Sequence, residues 1–120
     1  MAAIFNLLSL TLFLALVFQA YGQPCSLRDI QVKQQKTSSY AHGKIVYNVT
    51  VTNNCICTQS EIKFKCNGFK TNLSVDPAIF SDDCLLIKGG PLYNAQSVNF
   101  SYAWQPQFTF TPISSQIACS

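Results

Sequence analysis

Between Lys44 and Thr52 the chain alternates with a period of two. Ile45, Tyr47, Val49 and Val51 fall on one face, and Lys44, Asn48, Thr50 and Thr52 largely on the other. That period belongs to a half-buried strand, since a helix repeats every 3.6 residues. Glu61 to Cys66 repeats the pattern, with Ile62, Phe64 and Cys66 inward against Glu61, Lys63 and Lys65. Gln96 to Trp104 sets Val98, Phe100, Tyr102 and Trp104 against Asn99, Ser101 and Ala103. Shorter strand candidates are Asp29 to Gln34, Asn72 to Val75, Cys84 to Ile87, Gln107 to Thr111 and the end around Ile117. Turn residues separate them at Tyr40 to Gly43, Asn53-Asn54, Asn67-Gly68, Gly89-Gly90-Pro91, Pro106 and Pro112. Asp76-Pro77 to Phe80 reads as one helical turn, with Asp as cap and Pro in the first position.

Seven or eight short strands with apolar inner faces need a second layer to cover them. The predicted class is all-β, a small antiparallel β-sandwich cross-linked by disulfides. A small closed barrel meets the same requirement, and the order of strands in the sheets is left open.

The start of the chain alters this picture of one uniform domain. Leu7 to Phe18 is apolar, and Ala20-Tyr21-Gly22 supplies small residues before a cleavage point, so residues 1–22 read as a signal peptide. The run is shorter than the roughly 20 apolar residues of a membrane span. Residues 23–120 then form one domain, secreted to the extracellular space, without membrane insertion. A chain of that size buries only about 60–65% of its extended surface, so cross-links carry weight in its stability.

All six cysteines, Cys25, Cys55, Cys57, Cys66, Cys84 and Cys119, follow the leader. An even set in an exported chain reads as three disulfides, with fifteen pairings open. Cys55 and Cys57 are two apart, where strand geometry does not bring two sulfurs together, so each is expected to bond a distant partner.

Formal charge is +3 without any cluster of lysines, which gives no support to nucleic-acid or anionic-membrane binding. Three N-glycosylation sequons occur, at Asn48, Asn72 and Asn99. Asn48 and Asn99 lie on the polar sides of their strands.

Candidate chemistry is sparse. His42, the single histidine, sits in a turn and lacks a nucleophile elbow. Asp82-Asp83 are sequence neighbours that face apart on extended backbone, a poor arrangement for a glycosidase pair. Cys55-Ile56-Cys57 without a histidine partner is weak as a zinc site, and Gly89-Gly90 is a turn rather than a phosphate loop. No catalytic residue, metal or cofactor is predicted. Trp104 closes a strand just before Gln105-Pro106, where a rim aromatic can stack on sugar or anchor a protein interface.

Cys25-Ser26 with Asp29-Ile30, Tyr47 to Cys55, Ile62 to Cys66 with Gly68-Phe69, Asp76-Pro77 to Phe80, Asp82-Asp83-Cys84-Leu85, Gly89-Gly-Pro-Leu92, Val98 to Trp104, and Cys119 form an ordered set. In that order the chain resembles the plant tapetum determinant-like family of small cysteine-rich secreted proteins. The resemblance implies a non-enzymatic apoplastic ligand of a leucine-rich-repeat receptor kinase, in cell-fate or reproductive development. The expected binding residues are Asp82, Asp83, Leu92, Tyr93 and Trp104, with the Lys36 to Lys44 loop as a further option. A cell-wall polysaccharide-binding module, or a defence-related interaction protein, is the alternative.

Overall fold

The computed structural model describes residues 24–66 and 68–119. The leader expected over 1–22 lies outside these residues, as does Asn67 of the expected Asn67-Gly68 turn.

Among the described residues five strands form: β1 (Ile30–Ala41), β2 (Lys44–Asn53), β3 (Thr58–Lys65), β4 (Ser97–Ala103) and β5 (Thr111–Ala118). One antiparallel sheet has the order β1-β2-β4, and β3 pairs with β5 in a second. The β1–β2 hairpin closes on a two-residue turn in which His42 (φ 50°) and Gly43 (φ 79°) are both left-handed. Such a turn matches the twist of its strands, and glycine enters that region without steric cost.

Alternation along β2 is the organising feature. Ile45, Tyr47, Val49, Val51 and Asn53 are buried, and their neighbours face outward or sit at the margin. From β3 come Ile62 and Phe64, and from β4 Phe100 and Tyr102, so both sheets contribute to one hydrophobic cluster. Connections complete it with Phe80, Leu86, Leu92 and Phe110. Phe80 stacks on Phe100 at 4.5 Å, while Phe69 meets Phe108 edge-on at 5.0 Å. Offset and edge-on pairs of this kind add about 0.5–1.5 kcal/mol each beyond burial.

The all-β, antiparallel, disulfide-linked class matches the expectation, and the three strongest predicted strands are present. Three weaker ones are replaced by other structure. Asn72 to Val75 forms no strand; Asn72 donates its N–H to the Ala103 carbonyl (2.8 Å) and Thr71 Oγ1 accepts from the Ala103 N–H (2.9 Å), closing the end of β4. Before Thr111, residues 107–110 run as an irregular segment with Phe108 and Phe110 packed on the core. The strand begins instead at Thr111, where the second residue is Pro112. Proline is tolerated there because β5 borders a two-stranded sheet and, among the described residues, has a neighbour on one side only. Leu85 and Leu86 contribute isolated bridges to Lys63 and Phe80 rather than a strand. The Asp76 turn forms, with the Ala78 N–H on Asp76 Oδ1 (2.9 Å) and the Phe80 N–H on the Asp76 carbonyl (3.0 Å).

The disulfides are Cys25–Cys55, Cys57–Cys119 and Cys66–Cys84, with sequence separations of 30, 62 and 18. Cys55 and Cys57 each take a distant partner, as their spacing predicted.

Candidate functional site

The link from β2 to β3 carries the chain from one sheet to the other through Asn54-Cys55-Ile56-Cys57. Both cysteines are buried there, and the sulfurs of Cys25, Cys57 and Cys119 lie within 4.8 Å of one another. These sulfurs, like that of Cys55 beside Asp29, belong to disulfides, so none is a thiolate available to a metal. With Cys55 and Cys57 turned inward, Ile56 between them must face away, and it is 75% exposed.

Asn53 fixes this corner. Its side-chain amide donates to the carbonyls of Cys57 (2.8 Å) and Leu92 (2.9 Å), and its oxygen accepts from the Cys55 N–H (3.0 Å) and Gln59 Nε2 (3.4 Å). Gln59, also fully buried, donates to the Ser26 carbonyl (3.2 Å) and accepts from Ser115 Oγ (2.7 Å). Buried amides hold such positions only when their donors and acceptors are met. Among the described residues, no buried side-chain nitrogen or oxygen lacks a partner.

This network also positions Tyr93. Leu92 pairs with Gln59 through two backbone hydrogen bonds of 3.1 and 2.8 Å, and the Tyr93 N–H donates to Gln96 Oε1 (2.9 Å). The Tyr93 ring, at the start of that turn, is 56% exposed. Because the carbonyls of Cys57 and Leu92 meet on one Asn53 nitrogen, Ile56 and Tyr93 belong to the same rigid corner. Leu92, expected among the binding residues, is 0% exposed and belongs to the core, so its side chain is not at the surface. Burying it stabilises the fold by about 1.5–3 kcal/mol.

The other expected residues lie elsewhere. Asp82 and Asp83 are the exposed middle residues of a turn closed by the Cys84 N–H on the Ser81 carbonyl (2.8 Å), beside the Cys66–Cys84 bond. Cys66 follows the end of β3 remote from Gln59, so this turn and the Asn53 corner occupy opposite ends of that strand. The Trp104 backbone N–H donates to the Ile45 carbonyl (3.2 Å), at the end of β2 opposite Asn53. Nine residue steps of strand separate those ends, about 30 Å at 3.3 Å per residue. Trp104 is half-buried, and Lys44 Nζ stands 5.1 Å from its ring centroid. That ammonium occupies a face that a stacked sugar needs. The Lys36 to Lys44 loop is mostly the outer half of β1 and its hairpin turn.

The structure therefore divides the expected set among three places and adds Ile56 to Tyr93. Ile56 was readable from the sequence: a residue between two cysteines with separate distant partners points away from both. His42 is exposed at the hairpin turn.

A family profile described as Tapetum determinant 1, C-terminal, matches residues 26–120. The chain is similar to TPD1 protein homolog 1 of Arabidopsis thaliana, at 38% identity over 88 residues that cover 68% of this chain and 49% of that protein. It is also similar to TPD1 protein homolog 1B of Oryza sativa subsp. japonica, at 29% identity over 100 residues covering 79% and 58%. The chain spans about half the length of the curated relatives it matches. No solved structure matches it.

Proposed function

This chain belongs to the tapetum determinant 1 family, and on that premise we propose that it is a secreted, non-catalytic ligand of a leucine-rich-repeat receptor-kinase ectodomain. The observation that carries the reading is the corner bearing Ile56 and Tyr93. Two large hydrophobic side chains are exposed there, Ile56 on a link held by two disulfides and Tyr93 beside Leu92, whose carbonyl shares the Asn53 amide with that of Cys57. A ligand already fixed in its bound shape loses little conformational entropy on docking, and exposed aromatic or aliphatic anchors are where binding energy concentrates. The extracellular site of action and a role in plant cell fate or reproductive development belong to the same proposal.

A wall-polysaccharide module has less support, because Trp104 is half-buried and faces Lys44, and Phe64, Phe80, Phe100 and Phe110 are buried in the core.

The test is a binding screen of the oxidised protein against a panel of plant leucine-rich-repeat ectodomains, with control ligands of known binding. Saturable binding to one or a few members, lost in Ile56→Asp and Tyr93→Ala, supports the proposal. Silence across a panel that captures its controls, with retention on a wall-glycan matrix, replaces it with the polysaccharide reading.

A further inference from the structure

The outer face of the three-stranded sheet is polar across its width. Register brings Lys33, Thr50 and Asn99 into one row and Gln35, Asn48 and Ser101 into the next. Two of the three sequons lie in these rows, antiparallel and opposed: Asn48 faces Ser101, and Thr50 faces Asn99. Each hydroxyl is turned to the other sequon's asparagine. Thr50 Oγ1 donates to Asn99 Oδ1 (2.7 Å), and Ser101 Oγ donates to Asn48 Oδ1 (2.6 Å). Both asparagines are exposed, and these bonds use only their oxygens, so each Nδ2 remains available to carry a substituent.

We infer that Asn48 and Asn99 form one paired glycan-acceptor site, at which closure of the sheet competes with modification of Asn99. The inference rests on the export reading above. In the transfer, the asparagine amide nitrogen bonds to the anomeric carbon of a lipid-diphosphate-linked oligosaccharide. The sugar–diphosphate bond breaks and the amide loses one proton. The transferring enzyme reads the hydroxyl two residues beyond the asparagine. In the closed sheet that hydroxyl is already committed across the strands, and the backbone around both asparagines is laddered.

Order of synthesis separates the two sites. Asn99 follows Asn48 by about 50 residues, about 3–10 s at the usual rate of chain growth. During that interval β1 and β2 are a lone hairpin, which is marginal in water, whereas three strands suffice for stability. Asn48 therefore stays accessible for seconds. Asn99 arrives with its partner strand waiting, and pairing of strands distant in sequence takes about milliseconds to seconds once it is free. Glycans placed here also cover the polar sheet face and leave the Ile56–Tyr93 corner open.

The experiment expresses the full chain in a eukaryotic secretory host and recovers it from cells and medium together. Peptide-N-glycosidase release in heavy-oxygen water then gives occupancy at each sequon by mass. A second expression exchanges residues 1–22 for an established leader. The expected result is occupancy at Asn99 roughly twofold or more below that at Asn48, rising toward it when a cell-permeable dithiol delays folding. Equal occupancy in untreated cells overturns the inference, as does a low Asn99 value that the dithiol leaves unchanged. Absence of glycan behind both leaders overturns it too. Glycan behind the exchanged leader alone, with the same asymmetry, sinks the export reading and upholds the paired site.

Discussion

The Tyr102 hydroxyl donates a hydrogen bond to the side-chain oxygen of Gln34, although β2 lies between their two strands. The same hydroxyl accepts from the Phe108 N–H (3.0 Å), and Gln34 Nε2 donates to the Phe108 carbonyl. Three side-chain contacts thus fasten the irregular segment after β4 to the first strand, in place of a backbone ladder. Tyr102→Phe removes the shared hydroxyl and leaves Gln34 Oε1 and the Phe108 N–H unpaired. The expected loss is about 1–3 kcal/mol, read from denaturant midpoints of the oxidised protein. An unchanged midpoint would mean that water replaces the hydroxyl.

Burial raises the Tyr102 pKa above the ordinary tyrosine value; the Phe108 backbone hydrogen bond lowers it and nearby Tyr47 adds to the rise. The folded state therefore holds the proton more tightly than the unfolded chain. Its contribution is complete below the unfolded pKa of about 10 and is lost as pH rises through the folded value. Stability measured in steps from neutral pH upward should fall faster in the parent than in Tyr102→Phe above about pH 10. Parallel curves would assign the alkaline loss to other groups.

Asn53 holds two carbonyls, one backbone N–H and the Gln59 amide. Replacing it with Ala leaves several buried partners unmet, and the expected cost is about 3 kcal/mol or more. The readout is the yield of protein with all three native disulfides after oxidative refolding, mapped by peptide mass. A yield equal to the parent's would show that the cysteines alone define the corner.

Leu92, Tyr93 and Ile56 should separate folding from docking. Leu92→Ala is expected to destabilise by about 2–5 kcal/mol, as buried leucines do. Ile56→Asp and Tyr93→Ala should stay within about 0.5 kcal/mol of the parent in thermal or denaturant unfolding. Against a captured receptor ectodomain, the same two changes should each weaken binding by about 2 kcal/mol, roughly 30-fold. Binding that survives both changes would move the interface to the Asp82-Asp83 turn or to Trp104.

What the sequence revealed follows from where side-chain alternation is driven by burial. β2 and β4, and β3 from Glu61 onward, present apolar residues to the core at every second position, so the period was plain there. β1 runs on to Ala41 through Gln35, Lys36, Thr37, Ser38 and Ser39, whose polar side chains leave no such contrast. β5 was obscured by Pro112, which reads as a breaker unless the strand has only one neighbour. Phe108 and Phe110 looked like strand residues because both pack on the core, the first half-buried and the second buried, yet their segment is held by Tyr102 and Gln34. Asn53 was the informative miss: it continues the inward series of Ile45 to Val51, but an Asn-Asn pair invites assignment to a turn. Its burial depends on carbonyls from Cys57 and from the distant Leu92, which only the folded chain assembles.

The meeting of Cys25 and Cys119 with the Cys55-Ile56-Cys57 segment has a practical side. Both ends of the disulfide-bonded domain emerge at the corner that carries Ile56. An affinity tag or fusion partner joined directly before Cys25 or after Cys119 would stand over the surface being assayed. Immobilisation through an engineered attachment near the His42–Gly43 turn would leave that surface facing solution, and a silent assay would then report on the protein rather than on its handle.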